Sequence, residues 1–298
     1  EMFVANDARP NQLWKHLGTQ NDDQAFVDLA VARGCAVSSR GEACACMGVA
    51  WADFDRSGTP DMIITNWFDE WLNLYLSDSN GNFRDVAPRF GLDKLSESLL
   101  GFGCQAIDFD NDVAVDVFVA NGHIDNVAGA KTALAMPAQL IQNLGDRFRL
   151  AEQSDESFWQ RTHVGRSAIT ADHNRDGRMD IAVVDLLSPV ALLENQTPTN
   201  NHWIQFVIVG VQSERAAIGT RIEVSQGTEK QVSVTATGDG YQGRSEAVVP
   251  FGLGLASAPV GVTVKWPSGK EDSWPNLDPD TRYLIVEGQA DPWPESQP

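Results

Sequence analysis

Short apolar runs of four or five residues recur through the first two thirds of the chain, each entered from a loop dense in aspartate. Asp61 leads into Met62-Ile63-Ile64-Thr65-Asn66, Asp116 into Val117-Phe118-Val119-Ala120-Asn121, and Asp180 into Ile181-Ala182-Val183-Val184. The opening Glu1-Met2-Phe3-Val4-Ala5-Asn6 aligns with the same place. Runs this short, bounded by turn residues, read as buried strands. The aligned positions 1, 61, 116 and 180 lie 60, 55 and 64 residues apart, and a period of that size predicts a propeller or a solenoid. A second apolar segment follows each: Gln12-Leu13-Trp14, Leu74-Tyr75-Leu76, Leu140-Ile141 and Ala191-Leu192-Leu193. In two repeats a turn then leads to a further segment beginning at Phe83 or Phe148. This wiring predicts all-β, four-stranded propeller blades over residues 1–199. Within it, Phe26-Val27-Asp28-Leu29 reads as a strand followed by a turn ending at Gly34, in preference to an amphipathic helix from Asp22 to Arg33. Residues 122–138 and 152–164 read as connecting loops.

Near Asn195 to Asn200 the aspartate loops stop, and alternation of period two takes over: Ile204, Phe206, Ile208; Ile222, Val224; Val260, Val262, Val264, Trp266; Leu284, Val286. This predicts a separate small β-sandwich-like domain over 200–288, with a disordered, proline-bearing tail at 289–298.

The loops carry the candidate chemistry. In Asp172-His173-Asn174-Arg175-Asp176-Gly177-Arg178-Met179-Asp180, oxygen-bearing side chains occupy positions 1, 3, 5 and 9, with glycine at 6. A hard cation such as Ca²⁺ takes about six to eight oxygen ligands, including carboxylates and a backbone carbonyl. Glycine permits the left-handed turn that returns the ninth residue. An EF-hand would need a glutamate at position 12, where this chain has Val183. The candidate ligands are therefore Asp172, Asn174, Asp176 and Asp180 with the carbonyl of Arg178. The matching sets are Asp53, Asp55, Ser57 and Asp61 with Thr59, and Asp108, Asp110, Asp112 and Asp116 with Ala114. Ser57 in place of a carboxylate weakens the first set. In the second, Val113 stands where glycine is expected, so either the backbone takes another path or the metal is lost. Aspartate and asparagine also favour turns without any metal, but three loops in register at blade spacing favour calcium, in a structural role.

The Asp-x-Asp/Asn-x-Asp/Ser-Gly-x-x-Asp loop running into an apolar strand resembles the FG-GAP/VCBS repeats of integrin α-subunit propellers. Asn201-His202-Trp203, Ala217-Ile218-Gly219-Thr220-Arg221, Phe251-Gly252-Leu253-Gly254 and Trp266-Pro267-Ser268-Gly269 resemble the ASPIC/UnbV domain of the cartilage acidic protein-like family. Val119-Ala120-Asn121-Gly122-His123 and His163-Val164-Gly165-Arg166-Ser167 are further phrases of that kind. The resemblance implies a secreted, cell-surface or periplasmic calcium-binding propeller, seven-bladed when complete and here lacking its N-terminal part. It implies adhesion or interaction with protein or carbohydrate partners and supplies no catalytic residues.

The formal charge, 22 − 41 = −19, argues against nucleic acid or an anionic membrane as partner, and no apolar run is long enough to span a bilayer. Four cysteines (Cys35, Cys44, Cys46, Cys104) make no metal or redox motif; a bridge from Cys35 to Cys44 or Cys46 and free buried thiols both stay open. Gly238-Asp239-Gly240-Tyr241-Gln242-Gly243 fits a dinucleotide-binding pattern, yet β-type sequence on both sides favours a turn. Trp67-Phe68-Asp69-Glu70-Trp71 could dress a sugar-binding surface, although packing between blades is the commoner use of such aromatics. His123 and His163 could meet in space, and Asn195-Gln196-Thr197 is a glycosylation sequon in a secretory setting. The expectation is a non-enzymatic binding propeller. The alternatives are a propeller-fold lyase or hydrolase with a central-channel site, for which only Tyr75, Tyr241 and Tyr283 are at hand, and a purely structural module.

Overall fold

The computed structural model describes residues 1–18, 25–125, 133–153 and 156–295. The polypeptide is all-β, and its first two thirds form antiparallel sheets wired as propeller blades. Met2–Val4, Gln12–His16 and Phe26–Asp28 make a three-stranded sheet. Cys46–Ala52, Asp61–Asn66, Asn73–Ser77 and Phe83–Asp85 make a four-stranded blade in sequence order. Gly101–Ile107, Asp116–Asn121, Gln139–Asn143 and Phe148–Leu150 make the next. Gly165–Ala171, Asp180–Asp185 and Ala191–Leu193 form a three-stranded sheet after it. Two of the strands entered from the aspartate loops are the most buried: all six residues of Asp61–Asn66 and of Asp116–Asn121 are out of solvent.

Cys46–Ala52, Gly101–Ile107 and Gly165–Ala171 pack side by side and line the inner ends of their sheets. Each carries a bulge at the same place, between Cys46 and Val49, Gly101 and Cys104, and Gly165 and Ala168. The bulge bends the strand, and glycine lets the neighbour close in: a Cβ on Gly48 would lie 2.1 Å from the Phe102 carbonyl oxygen. Thr65 joins the same two blades, its Oγ1 accepting from Gly48 N (2.7 Å) and donating to Phe102 O (2.8 Å).

The last-strand ends of the first two sheets repeat as well. Asp28 Oδ1 accepts from Leu13 N and Ala30 N, and Asp85 Oδ1 from Leu74 N and Ala87 N. After each aspartate comes one helical turn, Ala30–Arg33 or Ala87–Phe90, closed by Gly34 or Gly91 at φ 79°. The strand-and-turn reading of this segment is refined accordingly; residues 19–24 lie outside the described residues. Two connections expected to be plain loops hold short elements: Met136–Pro137 pairs with Thr162–His163, and Glu156–Trp159 forms one helical turn. Leu92–Ser96 is a further short helix that periodicity did not announce.

From His202 the chain builds two four-stranded sheets around a common core. One has the order Val249–Gly254, His202–Val209, Thr281–Val286, Trp293–Pro294. The other runs Glu229–Val234, Arg221–Gln226, Val260–Lys265, Glu271–Leu277. Ile204, Phe206, Ile222, Val224, Val262 and Val264 meet between them, as their alternation requires. His202–Val209 and Thr281–Val286 pair in parallel, which local alternation does not foretell. The tail expected to be disordered is a correction over its described part: the Trp274 indole donates to Ala290 O (2.7 Å), and Trp293–Pro294 pairs with Tyr283–Leu284.

Candidate metal loops at the domain interface

The three aspartate loops fold alike. Positions 4 and 6 turn left-handed in each: Arg56 and Gly58 (φ 57° and 83°), Asn111 and Val113 (56° and 85°), Arg175 and Gly177 (58° and 84°). Val113 therefore follows the glycine path, and the alternative of a different backbone route is set aside. The position-1 carboxylate accepts the N–H groups of positions 5 and 6: Asp53 from Ser57 and Gly58, Asp108 from Asp112 and Val113, Asp172 from Asp176 and Gly177. The ninth carboxylate ties the loop to the sheet. Asp61 accepts from Phe54 N and Ser77 N, Asp116 from Phe109 N and Asn143 N, Asp180 from His173 N and Asn195 N.

Sequence reading passed over two residues in this network. Asn143 Nδ2 donates to Phe54 O and Val115 O, and Asn195 Nδ2 to Phe109 O and Met179 O. Each asparagine thus hooks its own loop to the loop of the preceding blade. The signal was available, since both follow the second apolar segment of their repeat, Leu140-Ile141 and Ala191-Leu192-Leu193. It also turns the amide of the Asn195 sequon inward.

The loops then diverge. Among the described residues, acidic side chains converge to within 4.8 Å in two groups, Asp53–Asp55–Asp61 and Asp108–Asp110–Asp116. Burial pushes Asp53 up to about 6 and Asp61 to about 7, with the neighbouring aspartates adding to it. Asp116 is pushed up to about 9, chiefly by burial, and Asp108 and Asp110 are raised for the same reason with help from Asp112. Hard oxygen donors crowded together, with Asp53, Asp61 and Asp116 buried, Asp108 and Asp110 half-buried and Asp55 exposed, match the donor chemistry of a divalent cation such as Ca²⁺. These triads resemble FG-GAP calcium sites. Ser57 stands beside the first group, its Oγ 2.8 Å from Thr59 Oγ1; Asp112 is exposed and accepts from Ala114 N.

The third loop, the fullest match in sequence, has its carboxylates engaged by protein donors. Arg282 and Gln205 of the C-terminal domain reach Asp172 Oδ2 at 3.4 and 3.0 Å. Arg178 and Asn174 hold Asp176, and His173 Nδ1 lies 2.6 Å from Asp180 Oδ2, which raises the imidazole above its usual range. Asp172, Asp176 and Asp180 form no third converging group. Three loops that read as equivalent are thus two open triads and one whose charges are met by the protein.

All three loops face the C-terminal domain. Gly58 lies against Arg221 and Val232. A Cβ on Gly252 would fall 2.1 Å from Asp108 Oδ2, and Gly254 N donates to Asn111 O (2.9 Å). Asn201 Nδ2 donates to Asp110 O, and the Trp203 indole covers Gly177. Arg282 continues to Glu246 (2.6 Å), whose other oxygen accepts Asp172 N.

The remaining candidates take packing or turn positions. Gly240 exchanges two backbone bonds with Val49, and Tyr241 packs edge-on to Phe102, so 238–246 is a strap laid over the inner strands with no helix after it. Arg40 covers the Trp71 ring at 4.2 Å, and Trp67 packs on His123. His163 stacks on Phe158 and meets Asp185 at 3.1 Å. The four cysteines are buried free thiols; burial raises Cys35 and Cys44 to about 11 and Cys46 to about 12.

Two family descriptions match: an FG-GAP-like repeat over residues 53–119 and ASPIC and UnbV over 210–292. Cartilage acidic protein 1 of Homo sapiens is 26% identical over 278 residues, covering 91% of this chain and 39% of that protein. The Mus musculus protein gives 26% with 40% of its length covered, and the Xenopus tropicalis protein the same over 279 residues. The chain is a distant homologue of these proteins and spans about two fifths of their length.

Proposed function

We propose that this chain, an FG-GAP-like repeat region joined to an ASPIC/UnbV domain, is a calcium-binding propeller module that works outside the cytoplasm, binds protein or carbohydrate partners and performs no catalysis. The observation that carries the reading is the convergence of Asp53–Asp55–Asp61 and Asp108–Asp110–Asp116 in identically wired loops. Asp61 and Asp116 already join loop, second strand and third strand through hydrogen bonds. A divalent cation held by the same carboxylates would neutralise charge that burial otherwise opposes, and so clip these strands together. Binding only to the folded state makes that a stability effect. Tyr75 and Tyr283 lie in hydrophobic cores, which supports a binding role over a tyrosine-based channel chemistry.

Calorimetric titration of the chain with Ca²⁺ tests this. The expected result is two ions, falling to one in Asp53→Asn/Asp61→Asn and one in Asp108→Asn/Asp116→Asn. Unchanged stoichiometry in both variants, or no binding by the parent, would overturn it. Partner binding is then measured on the same proteins, by surface capture of extracellular-matrix proteins and glycans with and without calcium.

A further inference from the structure

A cavity of about 520 Å³ opens where the C-terminal domain roofs the inner strands. Its propeller wall includes Trp51, Gln105 and Thr170; its roof comes from 207–209, 214–218, 233–237 and the strap leading to Pro250. That volume lies within the range of small-ligand sites, and domain junctions are where such sites concentrate.

Two arginines line it, Arg215 and Arg244. Both are exposed to solvent, and among the described residues neither guanidinium has a hydrogen-bond or ion-pair partner. Of the cavity's three carboxylates, one is met by a cation and two only by neutral donors. Glu246 is paired with Arg282, Asp239 accepts from Ser245 Oγ (3.1 Å), and Glu214 accepts Ala216 N (2.9 Å).

The backbone that presents each arginine is firmly held. Glu287 accepts the N–H groups of Val211, Gln212 and Ser213, each at 2.7 Å, which fixes the loop entering Arg215. Next to Arg244, Ser245 Oγ accepts Thr170 N and reaches Gln105 Oε1, and Glu246 N donates to Thr170 O. A chain of net charge −19 thus spends its hydrogen bonds fixing two segments whose arginines it leaves unpaired at one cavity. The hydroxyl residues Thr170, Ser233, Thr235 and Thr237 line the same space. Guanidinium groups favour carboxylates through charge-assisted, geometrically matched bonds, and hydroxyls pair with hydroxyls.

We propose that the cavity between the propeller and the C-terminal domain binds a hydroxylated carboxylate of the sugar-acid class, with Arg215 and Arg244 receiving the carboxylate. This names a ligand class for the carbohydrate-binding reading and rests on that reading; it is independent of metal in the loops. The probes are glucuronate, uncharged glucose and hexanoate, titrated by calorimetry into the full chain with calcium and again in chelator. Glucuronate binds, and binds more tightly than either of the others. Arg215→Ala and Arg244→Ala each weaken it about tenfold, while melting temperature and calcium stoichiometry stay at parent values because neither side chain holds the fold. The proposal is overturned if glucuronate does not bind the folded parent, if glucose or hexanoate binds as well, or if the double variant binds glucuronate unchanged. Sugar-acid binding without calcium uptake would sink the metal reading alone, and calcium uptake without sugar-acid binding would sink the cavity alone.

Discussion

With no metal in its aspartate loops, the chain should lose stability as pH rises, the reverse of ordinary acid denaturation. Asp53, Asp61 and Asp116 are raised from 3.8 to about 6, 7 and 9, with burial the first cause in each case. An acid raised in the folded state holds a proton that the unfolded chain has released. Between about pH 4 and those folded values the native state therefore binds more protons, and stability falls with increasing pH. From pH 5.5 to 8 Asp61 alone should cost roughly 2 kcal/mol, and Asp116 roughly 3, at about 1.4 kcal/mol per pH unit spent between the two values. At about 2 °C per kcal/mol for a chain of this size, the metal-stripped protein should melt on the order of 10 °C lower at pH 8 than at pH 5.5. Calcium at a hundredfold over its dissociation constant returns about 2.7 kcal/mol per site, or about 5 for two, so the loss at pH 8 should be largely restored. Scanning calorimetry of stripped and calcium-loaded protein at both pH values is the assay. A stripped protein that melts higher at pH 8 than at 5.5 would refute the reasoning, since these carboxylates would then be ordinary ionised turn residues.

Substitutions at other positions extend the test. Val113→Gly should raise stability by about 1 kcal/mol in urea unfolding, because a β-branched residue sits at φ 85° where left-handed backbone is costly. Arg282→Ala leaves buried Asp172 and half-buried Glu246 without their cation and should cost about 3–5 kcal/mol; protease sensitivity between 195 and 201 should rise with it, and Asp172→Asn added to Arg282→Met should recover much of the loss. Gly48→Ala should cost about 1–3 kcal/mol by driving a methyl into the Phe102 carbonyl, whereas Gly261→Ala, with no atom nearer than 3.7 Å, should stay within about 0.5 kcal/mol of the parent.

The features legible in the sequence are those that recur locally. A loop with aspartate at 1 and 9 followed by an apolar run specifies its own turn and strand, so the blades could be read, together with the alternating core of the C-terminal domain. What escaped depends on contacts remote in sequence. Asn143 and Asn195 act on carbonyls 89 and 86 residues away, and Arg282 acts on an aspartate 110 positions earlier. The parallel pairing of His202–Val209 with Thr281–Val286 is equally non-local. Val113 misled for another reason: the penalty for a β-branched residue at positive φ is about the size of one or two hydrogen bonds, and Asp108 supplies acceptors for both Asp112 N and Val113 N.

The same nine-residue frame is filled in two ways, and its surroundings decide which. Burial disfavours the charged form of the position-1 carboxylates Asp53 and Asp108, so a cation beside either of them is favoured. In the third loop that cation comes from the chain itself, as Arg282, buried and braced by Gln205 and Glu246. Beside Asp108 the C-terminal domain brings the backbone of Gly252, where a side chain would not fit. Beside Asp53 the cationic neighbour is Arg221, which lowers that carboxyl only as the least of the influences acting on it. One domain surface therefore closes the third loop with a guanidinium and leaves the other two triads in want of positive charge. Metal at Asp108–Asp110–Asp116 would sit directly under that surface, so removing it should loosen the domain contact at Gly252 while the Arg282 clasp on the third loop holds. Hydrogen exchange in calcium and in chelator separates the two: faster exchange at Gly254 N with unchanged protection at Asp172 N is the expected pattern, and equal loosening at both would mean the loops do not act independently.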